Sequence, residues 1–130
     1  MTPERREQLR SFSALLVGVA FMGVGALHFL KPEFFFQIMP PWIPWHAAAV
    51  YASGVFEVLG GLGVLLPQTR RLAGLGILAL LVAVFPANLH MALNASDYDD
   101  ISPPLGLWLR LPIQPLLMLW VWWATRASNR

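Results

Sequence analysis

Residues 47 to 66 read AAAVYASGVFEVLGGLGVLL, a mostly apolar run whose one charged residue is Glu57. A helix of about 20 such residues crosses the roughly 30 Å hydrocarbon core of a bilayer. The run is therefore predicted to be a transmembrane helix. Glu57 follows Ala47 by ten residues, which places it about 15 Å deep at a rise of 1.5 Å per residue. A carboxylate near the midplane is costly, so we expect it to face the protein and to belong to a polar site.

Three further runs have the length and composition of membrane spans: residues 11–30, 72–93 and 105–124. Backbone groups in lipid must be satisfied within helices or closed barrels, and these runs are too long for barrel strands. The sequence thus predicts an all-α, four-helix transmembrane bundle that forms a single domain over residues 1–130. The first run follows RREQLR, but it exceeds the apolar region of a secretory signal and lacks a clear cleavage site, so we expect it to be retained.

Composition supports a membrane protein. The chain is 57% hydrophobic and 12% charged, whereas a soluble domain carries about 25% charged residues. There is no cysteine, which excludes disulfides and thiolate metal sites. The Lys and Arg residues lie at the ends of apolar runs and form no patch for nucleic acid, so the lipid bilayer is the predicted partner.

The basic residues also predict an orientation. Seven of the nine Lys and Arg residues fall on one side of the four spans, at Arg5, Arg6, Arg10, Arg70, Arg71, Arg126 and Arg130. The positive-inside rule makes that side cytoplasmic. Both termini are then cytoplasmic, and the predicted location is a bacterial inner membrane.

The loop KPEFFFQIMPPWIPWH, residues 31–46, combines four prolines with five aromatic residues. The prolines oppose a continuous helix, and Trp favours the headgroup level. We expect this loop to lie along the outer interface, either as a cap over the mouth of the bundle or as an ordinary aromatic anchor.

Small residues predict where the first two spans touch. Gly18 and Gly25 are seven apart in the first span, and His28 continues their face. In the second span, Glu57 shares a face with Ser53 and Gly61 and lies beside Gly54 and Gly60. Small faces let helices approach closely, so Glu57 should point toward protein.

Six polar residues are predicted to converge on one pocket that opens to the outer face: His28, Glu57, Asn88, His90, Arg110 and Gln114. Pro86 is expected to kink the third span near Asn88 and His90. Glu57 would form the floor of the pocket and Arg110 would be its counter-ion. Glu57 and His90 are the candidates for proton exchange, while the ligand-binding set comprises all six.

Plainer roles stay open for the same residues. A Glu57–Arg110 pair could have a purely structural role, in which it fixes the packing of the helices, although buried pairs add little stability. Asn88 and Gln114 often join helices, and each histidine could be an interface residue. No metal is predicted, because the spacing lacks the helical pairs of His and Glu that ligate metals.

The chain resembles the DoxX-like family of small bacterial membrane proteins between about Gly25 and Leu111. The resemblance rests on GALHFLKPEFF, MPPWIPWH, SGVFEVLGGLGVLLPQTRRLAGLG, VFPANLHMAL and WLRLP. It implies a four-helix membrane protein. Some relatives are similar to the quinone-reducing subunit of a thiosulfate:quinone oxidoreductase, others associate with redox enzymes, and distant animal relatives look like assembly chaperones.

Two functions follow as hypotheses, and the sequence leaves open whether the protein is an enzyme. In the first, the protein is a non-catalytic membrane component or a binder of a small ligand in the polar pocket. In the second, it is a quinone-linked oxidoreductase subunit that receives electrons from a redox-enzyme or other membrane-protein partner. Quinone is then the predicted cofactor, and oligomerisation is compatible with either function. Proton-coupled transport is a weaker third hypothesis.

Overall fold

A computed structural model describes residues 1–126 of the chain. Its helices are α1 (Pro3–Leu30), α2 (Pro32–Ile38), α3 (His46–Leu65), α4 (Arg70–Leu93) and α5 (Pro104–Thr125). A turn of 3₁₀ helix (Ala95–Tyr98) follows α4. Arg130, one of the residues that predict the orientation, lies outside the described residues.

Four of these helices, α1, α3, α4 and α5, are long and apolar enough to cross a membrane. The predicted all-α fold with four membrane-spanning helices is confirmed, and the chain is a membrane protein. The orientation of the termini stays a prediction, and inner and outer are used below in the sense of that prediction. The ends of α3, α4 and α5 lie within two residues of the predicted spans.

Helix α1 begins eight residues before the predicted span, at Pro3. The Thr2 hydroxyl accepts a hydrogen bond from the Arg5 backbone N–H at 3.2 Å, and proline suits the first helical position because its missing N–H is not needed there. The polar RREQLR segment is therefore helical and extends α1 beyond the predicted hydrocarbon core of the bilayer.

The prolines inside the helices, including Pro86 where a kink is expected, do not interrupt them. Helix α4 continues through Pro86, and α5 continues through Pro112 and Pro115. All three prolines are exposed on the bundle surface. Proline rings are tolerated in membrane helices where other groups satisfy the freed backbone.

The four long helices form a ring in which α1 packs on α3, α3 on α4, α4 on α5 and α5 on α1. Helices α3 and α5 are therefore diagonal partners. A core at the inner half comprises Ala14, Val17, Phe21, Val64, Ile77, Leu81, Val121 and Ala124. A smaller cluster at the outer end comprises Met91, Ala92, Tyr98 and Leu107. Many large apolar side chains remain exposed on the outside of the ring, as expected for a surface that faces lipid.

The first outer loop contains more helix than its prolines suggest. Helix α2 starts at Pro32, in the first helical position, and ends before Pro40 and Pro41. It packs on α3 and α1. Trp45, which precedes α3, has a φ of 54°, a conformation that is costly for a bulky residue. The loop therefore lies against the outer ends of α1 and α3, consistent with a cap.

Candidate functional site

The contact between α1 and α3 is built on two reciprocal pairs of glycines. A Cβ atom on Gly25 would lie 2.8 Å from the carbonyl oxygen of Gly54, and one on Gly18 would lie 2.8 Å from that of Gly61. Each distance is below van der Waals contact, so neither position has room for a side chain. We call these four residues the glycine seam. They confirm the predicted small faces and bring the two backbones together as small residues do in membranes.

The seam determines which polar side chains meet. Gly25 opposes Gly54, and His28 and Glu57 each follow their glycine by three residues on antiparallel helices. Their Cα atoms are therefore displaced in opposite directions along the helix axis from the contact between the glycines. Side chains lean toward the N-terminus of their own helix. His28 thus leans inward and Glu57 leans outward, and the two side chains close the gap.

The result is a buried His28–Glu57 pair. Nδ1 of His28 lies 3.2 Å from Oε2 of Glu57, and the side chains are 8% and 13% exposed. Glu57 shares a face of α3 with the buried residues Val50, Gly61 and Val64, so it points into the bundle. This confirms the prediction that Glu57 faces protein.

The hydrogen bonding of the pair is incomplete. Nδ1 of His28 is 2.9 Å from the carbonyl oxygen of Val24, which can only accept, so Nδ1 carries the proton and donates it there. Oε2 of Glu57 is buried and has no hydrogen-bond partner within residues 1–126. Buried polar atoms are nearly always hydrogen-bonded. This oxygen therefore has capacity for a hydrogen bond that residues 1–126 do not supply.

Phe35 covers the pair from the outer side. Its ring stacks on the His28 imidazole, with ring centroids 3.8 Å apart and an angle of 17° between the planes. Phe35 belongs to α2, so this short helix separates the pair from the outer interface. The sequence pattern identified the aromatic loop but gave no indication of which ring would meet His28.

Asn88 and Gln114 form a second polar pair, between α4 and α5. The Asn88 amide donates to Oε1 of Gln114 at 2.6 Å, and the Gln114 amide donates to the Leu81 carbonyl oxygen. Gln114 is buried, and Asn88 lies on the α4 face that carries buried Leu81 and Ile77. The pair joins the helices, which is the plainer role considered for these residues. Within residues 1–126, no hydrogen bond or ion pair connects it to Glu57.

The prediction that Glu57 forms an ion pair with Arg110 is wrong. Glu57 pairs with His28, and Arg110 is an exposed residue with no ion pair in the described part of the chain. The reason is the order of helices in the ring, since α3 and α5 are diagonal and α1 supplies the neighbour of Glu57. Nor does Arg110 hydrogen-bond Gln114, the residue one turn further along α5. An exposed arginine at this position can extend along α5 toward the headgroups.

His90 lies apart from Glu57, among the outer connections. Its ring makes edge contacts with Trp42 and Tyr98, at centroid distances of 6.3 and 6.2 Å. Asn94 donates to the His90 carbonyl oxygen at 2.9 Å. His90 follows Asn88 by two residues and therefore lies on another side of α4. The two side chains do not meet at one pocket. The predicted six-residue pocket is thus divided into two pairs and two outlying residues.

No group of three or more His, Asp or Glu side chains in residues 1–126 is placed to hold a metal ion. The pair itself offers one imidazole and one carboxylate. That chemistry suits the exchange of a proton or a hydrogen bond with a small polar group.

The chain belongs to a family described as a domain of unknown function (DUF8561), whose sequence model matches residues 17–125. The matched range contains both polar pairs and the glycine seam. No curated protein matches the chain. No solved structure matches it either. The resemblance to DoxX-like proteins stays a prediction.

Proposed function

We propose that the protein is a non-catalytic membrane component that binds a small ligand at the His28–Glu57 pair. The observation that carries this proposal is Oε2 of Glu57, which is buried without a hydrogen-bond partner among residues 1–126. Leaving such a group without a hydrogen bond costs about 1–3 kcal/mol, and more when it is charged. A ligand that donates a hydrogen bond to this oxygen recovers that cost.

The cover formed by α2 supplies a route for the ligand. Phe35 is the aromatic ring directly over His28, and the helix that carries it has only seven residues and no buried side chain. A segment with little buried surface opens at low cost. The ligand therefore enters from the outer face, by displacement of Phe35, and its polar group reaches Glu57.

The location and orientation belong to the same proposal. The cluster of arginines at the end where α1 starts supports a cytoplasmic N-terminus in a bacterial inner membrane. The four-helix architecture agrees with the DoxX-like resemblance.

A quinone-linked role has less support from the geometry. A quinone site needs an apolar channel for the isoprenoid tail that leads to the polar head site. Among residues 1–126, apolar grooves open on the surface of the ring between α3 and α4 and between α1 and α3. Neither groove is lined by Glu57 or His28.

The test compares small molecules that co-purify with wild type, Glu57→Gln and Glu33→Gln in mild detergent, by mass spectrometry of the extracted ligand. Glu33 is an exposed carboxylate on α2 and provides a matched control. We expect the ligand with wild type and Glu33→Gln, and its loss from a folded Glu57→Gln. A ligand retained equally by all three proteins would overturn the proposal. A quinone as the retained species would favour the oxidoreductase hypothesis.

Phe35→Ala tests the route independently. Removing the ring should accelerate carbethoxylation of His28 by diethylpyrocarbonate, measured on the peptide that contains it, because His28 is only 7% exposed behind that ring. Phe34→Ala is the control, since Phe34 is 43% exposed and makes no ring contact with His28. Equal rates of carbethoxylation in the two variants would show that Phe35 does not cover His28.

A further inference from the structure

An apolar groove runs along the lipid-facing side of the α3–α4 hairpin. Its volume is about 650 Å³, within the roughly 300–1,000 Å³ range of ligand sites. Small residues form its bed and larger apolar residues form its walls. The residues that define the shape of the groove are Leu59, Gly60, Gly63, Leu72, Gly76 and Ala83. We call it the hairpin groove.

The length of the hairpin groove matches one leaflet of a bilayer. Its lining extends from Leu66 to Phe56 on α3 and from Leu72 to Ala83 on α4, about 15 Å along each helix at a rise of 1.5 Å per residue. Half of a hydrocarbon core of roughly 30 Å is about the same. One end of the groove lies at the turn between the helices and the other lies near the midplane.

The turn end of the groove is basic. Arg70 and Arg71 follow Thr69, which lines the groove, and the sequence has no Asp or Glu between Glu57 and Asp97. Nε of Arg70 donates to the Val64 carbonyl oxygen at 2.7 Å, and Nη2 is 3.4 Å from the Leu65 carbonyl oxygen. These bonds fix the guanidinium while its Nη1 has no protein partner within residues 1–126. A guanidinium held in this way is suited to a phosphate group.

We propose that the hairpin groove binds one acyl chain of an anionic phospholipid, with the phosphate at Arg70. An apolar channel of leaflet length that ends at Arg70 and Arg71, which form no ion pair within residues 1–126, is complementary to such a lipid. Basic pockets between membrane helices are known to bind anionic headgroups. The site is separate from the His28–Glu57 pair and does not depend on the function proposed there.

Two glycines make a matched test of the groove. A Cβ atom at Gly76 or at Gly23 would meet nothing within 4 Å, so the fold accommodates a leucine at either position. Gly76 lines the hairpin groove and Gly23 lies on α1, outside it. The protein is reconstituted in nanodiscs of phosphatidylcholine and phosphatidylglycerol, and the lipids retained after release are counted by native mass spectrometry. Gly76→Leu should lose bound phosphatidylglycerol several-fold, whereas Gly23→Leu should retain it.

Arg70→Gln and Arg5→Gln test the headgroup in the same assay. Each removes one positive charge, and Arg5 is an exposed residue on α1. Arg70→Gln should abolish the preference for phosphatidylglycerol over phosphatidylcholine, and Arg5→Gln should preserve it. An equal loss in both would assign the preference to general surface charge and overturn the site.

Two other outcomes also overturn the proposal. Equal lipid retention in Gly76→Leu and Gly23→Leu would show that the groove is not the binding site. A dimeric wild type that becomes monomeric only in Gly76→Leu would show that a second copy of the chain fills the groove.

Discussion

Nδ1 of His28 lies 3.2 Å from Oε2 of Glu57, yet the proton on that nitrogen is directed to the Val24 carbonyl oxygen at 2.9 Å. The imidazole is therefore oriented by its own helix. The glycine seam then determines the distance of the carboxyl group, which approaches the ring without receiving its N–H.

The coupling between His28 and Glu57 should be measurable in a double-mutant cycle. We expect Glu57→Gln and His28→Ala to be non-additive in the free energy of unfolding, because neighbouring residues couple by about 0.5–3 kcal/mol. Unfolding of the detergent-solubilised protein by sodium dodecyl sulfate, followed by circular dichroism, gives the four free energies.

Arg110→Ala provides the control for this cycle. Arg110 is exposed and has no ion pair in the described chain, so its effect should add to that of Glu57→Gln within about 0.3–0.5 kcal/mol. Strong coupling of Glu57 with Arg110, and none with His28, would restore the pairing expected from the sequence and contradict the geometry.

The glycine seam should be sensitive to a single methyl group. Gly25→Ala forces a Cβ atom to 2.8 Å from the Gly54 carbonyl oxygen, and overpacking of this kind typically costs about 1–3 kcal/mol. Gly23→Ala meets nothing within 4 Å and gains up to about 1 kcal/mol of helix propensity. Unfolding in detergent should therefore move in opposite directions for the two variants. Equal effects would mean that the seam is looser than the structure shows.

Part of this arrangement could be predicted from the sequence, because helix periodicity alone places residues on faces. The spacing of Gly18, Gly25 and His28 on α1, and of Gly54 and Glu57 on α3, identified the two surfaces that meet. The partner of Glu57 could not be predicted, since charge favours Arg110 whereas contact depends on the order of helices in the ring. Periodicity gives no information on that order.

The hydrogen bonds of Gln114 should contribute more stability than the bond of Asn88 alone. Gln114→Leu removes both the bond to Asn88 and the bond to the Leu81 carbonyl oxygen, whereas Asn88→Leu removes only the first. Hydrogen bonds between membrane helices average about 0.6 kcal/mol and reach about 1.7 kcal/mol. The unfolding free energy should therefore fall further in Gln114→Leu. Asn94→Ala, at an exposed site with only local bonds, should change it least. A larger loss from Asn88→Leu would contradict this order.

The role of Phe35 and the position of His90 could not be predicted from the sequence either, because both depend on how loops pack on the helices. Proline and aromatic content predicted an interfacial loop, but the seven-residue α2 within it sets the ring of Phe35 on His28. The prediction that His90 and Asn88 meet at one pocket depends on a kink at Pro86, because two residues on a regular helix differ in direction by about 200°. The ring of His90 instead contacts Tyr98, in the turn that follows α4, and Trp42, in a loop that is distant in sequence.

Alkaline pH should weaken the outer cluster through Tyr98. Burial, with a smaller contribution from the Asp97 carboxylate, raises the pKa of the Tyr98 phenol above its usual value of 10.0. The folded state thus favours the neutral phenol, so its contribution to stability is complete below the unfolded pKa of about 10 and is lost as pH rises through the folded value. Tyr51→Phe leaves Tyr98 as the only tyrosine, and the ultraviolet absorbance of the phenolate then reports its titration alone. We expect a midpoint above that of the same variant unfolded in guanidinium chloride. Asp97→Asn should lower the midpoint toward the unfolded value, and a folded midpoint at or below that value would contradict the burial of Tyr98.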